Sequence, residues 1–184
     1  MRQELAETLC KKYPRIFRDR NADMSQTLMC WGFEHGDGWY NIINALCGNI
    51  QDHIDWKRRQ RARALKMNRK IKKAIELNSV EPIINLFNGD WWVDRCEEIV
   101  REKKYDDVPE KVHHVTAIQV KEKFGTLRFY YSGGDDAVRG MVSMAESMSA
   151  CTCEECSIPG KVRHGGWIRT LCDEHAKESG YDEK

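Results

Sequence analysis

The stretch Cys153–His175, CEECSIPGKVRHGGWIRTLCDEH, sets one Cys-x-x-Cys pair against a Cys-x-x-His pair fifteen residues further on. That spacing is typical of a four-ligand metal site built from Cys153, Cys156, Cys172 and His175. Each interval has a physical reason. Two cysteines separated by two residues can share an ion when the backbone makes a tight knuckle. Pro159-Gly160 and Gly165-Gly166 signal turns around a short KVRH strand, and WIRTL supplies the returning strand. Cys172 and His175 lie one helical turn apart, so both can face one ion from the start of DEHAKESG.

Knuckle, hairpin and helix in that order resemble a treble-clef zinc finger. Four protein ligands close the coordination sphere of Zn²⁺ and leave no position for water or substrate, so a structural ion is expected over a catalytic one. Three thiolates and a neutral imidazole leave the site about one charge negative, which Lys161, Arg163 and Arg169 are placed to offset. Cys151 and His164 are the nearest substitutes should one ligand be wrong.

Immediately before the finger, DDAVRGMVSMAESMSA reads as a helix capped by Asp135 or Asp136, with Val138, Met141, Val142, Met144 and Ala145 toward a core. Before that, HHVTAIQV and TLRFYYSGG are dense in β-branched and aromatic residues, and KEKFG between them predicts an antiparallel hairpin. Phe129 and Tyr131 share one face of LRFYY, and Tyr130 takes the other. That strand is similar to base-stacking sheets of RNA-binding domains but lacks their glycine-aromatic context, so packing is its expected role.

Upstream the chain is helical. Residues 2–12 form a short amphipathic helix stopped by Pro14, followed by loop with Leu28 to Phe33 packed. From Asp37 or Gly38 a helix starts in which Tyr40, Ile43, Leu46, Cys47, Ile50 and Ile54 form one stripe. No Pro or Gly occurs from Asn49 to Glu81, so a long helix is expected, with one break allowed near Trp56. Glu81-Pro82 opens a short helix through Phe87. An Asn88-Gly89-Asp90 turn follows, with Asp90 capping a helix that carries Trp91, Trp92, Cys96, Ile99 and Val100.

The formal net charge of +1 hides one segment. Residues 57–73, KRRQRARALKMNRKIKK, hold ten basic residues and no acid, while 74–111 is acidic. Leu65, Met67 and Ile71 are its large apolar residues, too few for a buried helix, so the segment should face solvent or a partner. A helix of this density suits phosphate oxygens; an acidic protein surface, or pairing with the chain's own acidic segment, are the other uses. Lys57, Arg58, Arg59, Arg61, Arg63, Lys66, Arg69 and Lys70 are the expected contacts, with Trp56 able to stack on a base.

Other chemistry is sparser. Glu34, His35 and Asp37 are the densest acid–base cluster, although a trio at a helix start also reads as a cap and its neighbours. His113 and His114 should face opposite sides of a strand, with Cys30 and His35 as remote co-ligands for one of them. Cys10, Cys47 and Cys96 lie on apolar stripes as buried thiols. No nucleotide-binding glycine loop, nucleophile elbow or His-Glu-x-x-His helix is present. No apolar run approaches the roughly 20 residues of a membrane span. A charged start, MRQELAETLCKK, and eight cysteines without an export signal predict a reducing cytoplasm.

GDGWYNIINALCGNIQ, VKEKFGTLRFYYSGGDD and MAESMSACTCEECSIPGKVRHGGWIRTLCDEH together resemble a family of small bacteriophage and prophage proteins. The resemblance spans about residues 33–55 and 115–176 and omits the basic segment. It implies a zinc-bearing tail, the cytoplasm of an infected or lysogenic bacterium, and an accessory role such as blocking CRISPR, restriction or nucleotide signalling. It implies no mechanism.

The sequence therefore predicts an α+β protein: a helical front with a long basic helix, a central β-hairpin, and a C-terminal treble-clef-like finger. Residues 1–150 and 151–184 are the expected divisions. The leading functional expectation is a non-enzymatic binder of nucleic acid or of a host complex that handles it. The alternatives are a metal-dependent nuclease or nucleotide-degrading enzyme using Glu34, His35 and Asp37, or a module that sequesters a small anionic signal with Arg128, Lys123 or Trp39.

Overall fold

The computed structural model describes residues 1–84 and 92–181. The protein is α+β, with a helical N-terminal part and a small sheet, and its contacts group into two units. The first comprises Met1–Ile54 and Val112–Lys184, the second Asp55–Lys111. Among the described residues no helix is long and apolar enough to cross a membrane.

In the first unit, α1 (Gln3–Lys12) buries Ala6 and Leu9 and ends ahead of Pro14. The hairpin forms as its β-branched content predicts, with a longer first strand. Strand β2 (His113–Lys123) pairs antiparallel with β3 (Thr126–Gly134), and the turn is only Phe124-Gly125. Both turn residues have positive φ, +54° and +79°, as a tight hairpin connection requires. A register shift between Ala117 and Gln119 changes which side chains face inward. A two-residue strand, β1 (Phe33–Glu34), adds parallel to β2, so the sheet order is β1-β2-β3. Nothing in the alternation of so short a segment announces a strand.

Helix α5 (Asp136–Ser149) lies on β3. Asp135 is its cap, accepting from the Val138 N–H at 3.2 Å, and the buried face includes Val138, Val142 and Ala145. The outer edge of β3 is closed by this helix: Leu127 N–H donates to Ser149 Oγ at 2.8 Å and Phe129 N–H to Glu146 Oε1 at 3.0 Å.

Helix α2 (Tyr40–Leu77), preceded by one 3₁₀ turn at Asp37–Trp39, supplies the expected stripe. Ile43, Leu46, Cys47, Ile50 and Ile54 are buried around Trp39, Leu9, Val120 and Phe129, and Tyr40 packs against them. The backbone stays helical through Trp56. The chain then ends in a strand pair, β4 (Lys161–Arg163) with β5 (Arg169–Leu171), and a short helix, α6 (Asp173–Glu178).

In the second unit, Ile71 and Ala74 of α2 form a small core with Ile83 of α3 (Glu81–Ile84) and Cys96 and Ile99 of α4 (Val93–Glu102). Here the reading of the basic segment as wholly outward-facing is corrected. Ile71 is fully buried and Ala64 nearly so, because one row of the helix packs while the rest stays out. Asn68 grips Asp106 twice: its Nδ2 donates to the Asp106 carbonyl at 2.9 Å and its Oδ1 accepts from the Asp106 N–H at 2.7 Å. The predicted helix end at Phe87, the Asn88-Gly89-Asp90 turn, the Asp90 cap and Trp91 lie outside the described residues.

Candidate metal centre and basic surface

The knuckle at Cys153 is closed by Ser157 N–H donating to the Cys153 carbonyl at 3.1 Å, with Ser157 at φ +69°. The second pair sits where α6 begins. Cys172 is the N-cap residue and its sulfur accepts from the His175 N–H at 3.5 Å. Four ligand atoms converge. Cys156 and Cys172 sulfurs are 3.8 Å apart, and His175 Nδ1 lies 3.7 Å from Cys153 Sγ and 3.1 Å from Cys172 Sγ. All four lie within 4.8 Å of one another, and the cluster could hold a metal ion. Metal–sulfur bonds of about 2.3 Å in a tetrahedron put sulfurs about 3.8 Å apart, so the spacing suits coordination.

The local chemistry agrees. The His175 backbone N–H holds the Cys172 thiol low, at about 7, so its thiolate is accessible near neutrality. Burial pushes the Cys156 thiol up to about 11, where a cation's field would act against it. His175 Nε2 faces Glu178 Oε2 at 3.9 Å, the outer partner that a ligating imidazole commonly has. Cys151 stays outside the cluster, exposed and bonded to the Met148 carbonyl, and His164 is exposed as well.

The expected offset of the site's negative charge by Lys161, Arg163 and Arg169 is corrected. Lys161 and Arg163 pair with Asp173, and Arg169 pairs with Glu154 and Glu155. A carboxylate offers a guanidinium directed, charge-assisted bonds that a diffuse thiolate cluster does not.

The loop Glu34–Trp39 turns out to be the seat on which this knuckle rests. Gly38 N–H donates to the Glu154 carbonyl at 2.6 Å, and Ser157 Oγ donates to the Gly38 carbonyl at 2.7 Å. Gly36 N–H donates to Glu154 Oε1 at 2.9 Å, and the buried Trp39 indole N–H reaches the Thr152 carbonyl at 2.9 Å. Glu154 is itself buried and shares its other oxygen with Arg169 at 3.2 Å. On the far side of the finger, Thr170 Oγ1 donates to the Gly125 carbonyl at 2.5 Å.

The three acid–base candidates go separate ways. Glu34 accepts from Gln119 Nε2 at 3.0 Å. Asp37 is paired with Arg2; although partial burial acts the other way, the Arg2 N–H and guanidinium hold its carboxyl below the usual value. His35 is buried between Phe33 and Trp39, its Nδ1 2.8 Å from the Gly36 carbonyl and its Nε2 without a partner among the described residues. Among the described residues, neither this trio nor Cys30 with His35, His113 or His114 forms a metal-type cluster; the Cys₃His group alone does. Trp39, offered for a ligand pocket, is fully buried in the core. Cys47 and Cys96 are buried thiols as expected, raised by that burial, and Cys10 is half-buried with Arg20 donating to its sulfur.

Burial drives His35 down to about 4 from its ordinary 6.5. The native state therefore refuses a proton that the unfolded chain accepts, and stability falls as pH drops from 6.5 to 4. The loss across that window is about 3 kcal/mol. His35→Phe should flatten this part of the acid limb, measured as the pH dependence of the urea midpoint in variant and wild type side by side. Ligands common to both proteins cancel in the difference; parallel curves would show that His35 does not carry the effect.

The basic segment remains largely unpaired. Arg58, Arg59, Arg63, Lys66 and Arg69 are exposed, and Lys57 and Lys70 are half-exposed. Among the described residues none of these seven meets a carboxylate within salt-bridge distance. Arg61 is turned inward, donating to the Pro109 carbonyl at 2.5 Å. Trp56 is exposed, with the Lys57 ammonium 5.7 Å over its ring.

No family model, no curated protein and no solved structure matches this chain.

Proposed function

We propose that this chain is a nucleic-acid-binding protein whose basic α2 segment makes the contacts and whose tail is held by a structural Zn²⁺. The observation that carries the reading is the row of seven cations in residues 57–73 that meet no carboxylate among the described residues, although an acidic segment follows directly. Charges that could have been neutralised internally are kept for an outside anion. Phosphates suit a helix of this kind: each contact releases a condensed counterion, and no particular base sequence is required. Trp56 adds a ring beside the cations.

In this reading Cys153, Cys156, Cys172 and His175 hold the zinc in a treble-clef-type module. The ion supplies cross-linking of knuckle to helix, and four protein ligands leave it no open position for chemistry. The work of the molecule is binding. The phage resemblance extends the reading to a host complex that handles nucleic acid, occluded through the same cations.

Changing Arg58, Arg59, Arg63 and Arg69 together to Glu tests it, because all four are exposed. Affinity for a 20-base-pair duplex should fall about a thousandfold, and the slope of log K against log salt by about four. Far-UV circular dichroism should not change. Unaltered affinity and slope would discard the proposal.

A further inference from the structure

A second surface lies in the first unit, on residues that the α2 reading does not use. The outer face of the hairpin near its turn carries Lys121 and Arg128 directly opposite each other, with Lys123 next along the strand. Lys121 Nζ lies 5.7 Å over the Tyr130 ring and Lys123 Nζ 5.4 Å over the Phe124 ring. Among the described residues no carboxylate pairs with any of these three cations. Tyr130 is 41% exposed, Phe124 68% and Trp167 67%. Phe124, Lys121 and Lys123 line one groove of about 530 Å³ with Trp167 of the finger.

Two features separate this face from ordinary surface. Phe124 occupies a turn position at φ +54°, where Gly, Asn or Asp is favoured and a bulky side chain is strained. Its ring gains little packing in return, since most of it is exposed. Trp167 is fixed in place: its indole N–H donates to Glu122 Oε2 at 3.1 Å, and its carbonyl accepts from the Tyr181 hydroxyl at 2.7 Å. Glu122 is the acid of the groove, and its other oxygen is taken by the Gly125 N–H at 2.6 Å. An aromatic ring held out at a strained position, a second held by hydrogen bonds, and unpaired cations between them are what a stack of unpaired bases on a phosphate chain requires.

We propose that this hairpin–finger face binds single-stranded nucleic acid, with Phe124, Trp167 and Tyr130 stacking on bases and Lys121, Lys123 and Arg128 meeting phosphates. The face discriminates against duplex, whose bases are already stacked and cannot offer their planes to side chains. It goes beyond the α2 proposal and stands whether or not that proposal holds.

The test is fluorescence anisotropy with a labelled ten-nucleotide dT strand and, separately, a blunt duplex. Wild type, Phe124→Asn/Trp167→Ala, Lys121→Gln/Lys123→Gln and the four-site α2 variant are compared. Asn suits the positive φ of residue 124, so that change should not impair folding. The aromatic pair should lose at least about tenfold in affinity for dT with little change in salt slope, and nothing for duplex. The lysine pair should lower the dT salt slope by about 1.4. Undiminished dT binding in the aromatic variant would overturn the proposal, as would equal losses for dT and duplex. If dT binding disappears only in the α2 variant, the hairpin proposal falls while the α2 proposal stands. Tighter binding of an oligo-glutamate peptide than of dT at equal charge would also overturn it, since the face would then be reading charge alone.

Discussion

Chelation at neutral pH is expected to make three clustered thiols reactive at once and to lower the melting temperature by about 10 °C or more. The thiols are Cys153, Cys156 and Cys172. The reason is the size of the core beneath them. Apart from the four candidate ligands, the apolar core of the finger is Leu171 and Ala176, with Tyr181 packed at the side. So small a cluster cannot offset the chain entropy of ordering the tail, and in the proposed reading a bound ion supplies the difference. Apparent binding free energies of structural zinc, about 10–16 kcal/mol in isolated fingers, are as large as the whole stability of an ordinary domain. Cys172→Ser should match the chelated protein without any chelator, because it removes a thiolate ligand while the serine hydroxyl can still cap α6. Cys151→Ser should behave as wild type. A melt indifferent to chelator, with the thiols still protected, would remove the metal from the account.

Gly38→Ala is expected to cost about 3 kcal/mol. A Cβ at this position would stand 2.2 Å from the Cys153 carbonyl oxygen and 2.6 Å from the carbonyl atoms of Glu154. These are backbone atoms, held by the same bonds that place the first metal ligand, so no side chain can swing away to make room. The expected result is a lower urea midpoint together with weaker metal retention in a chelator competition. Gly140→Ala is the contrasting case. Its Cβ would meet nothing within 4 Å in the middle of α5, so helix propensity should make the protein more stable by about 1 kcal/mol. Equal behaviour of the two variants would mean that the finger does not press on the Gly38 loop.

The ligand spacing, the hairpin and the capped α5 helix were legible in the sequence because each is local: a turn, a two-residue period, an aspartate before an apolar stripe. The loop Glu34–Trp39 was misleading for the opposite reason. Three ionisable side chains in four positions suggest shared chemistry, yet their partners are Gln119, Gly36 and Arg2, and two of those lie far along the chain. The informative signal was the two glycines at 36 and 38, which a close backbone contact requires. Arg163 and Arg169 were likewise assigned to the thiolates by proximity in sequence, whereas Asp173, Glu154 and Glu155 hold them in space. Strand β1 exists only because β2 offers it an edge. Phe124 gave no warning, since its outward ring depends on a turn type that its own identity disfavours.

The shared bonds of Glu154 also limit how such a protein can diverge. Its carboxylate joins Gly36 at one end of the chain to Arg169 near the other, while its carbonyl fills the space that a side chain at position 38 would need. These four positions can change over generations only as a block. A chimera that grafts a foreign tail onto this front half should therefore assemble only when the donor's own glycine loop is transplanted with it.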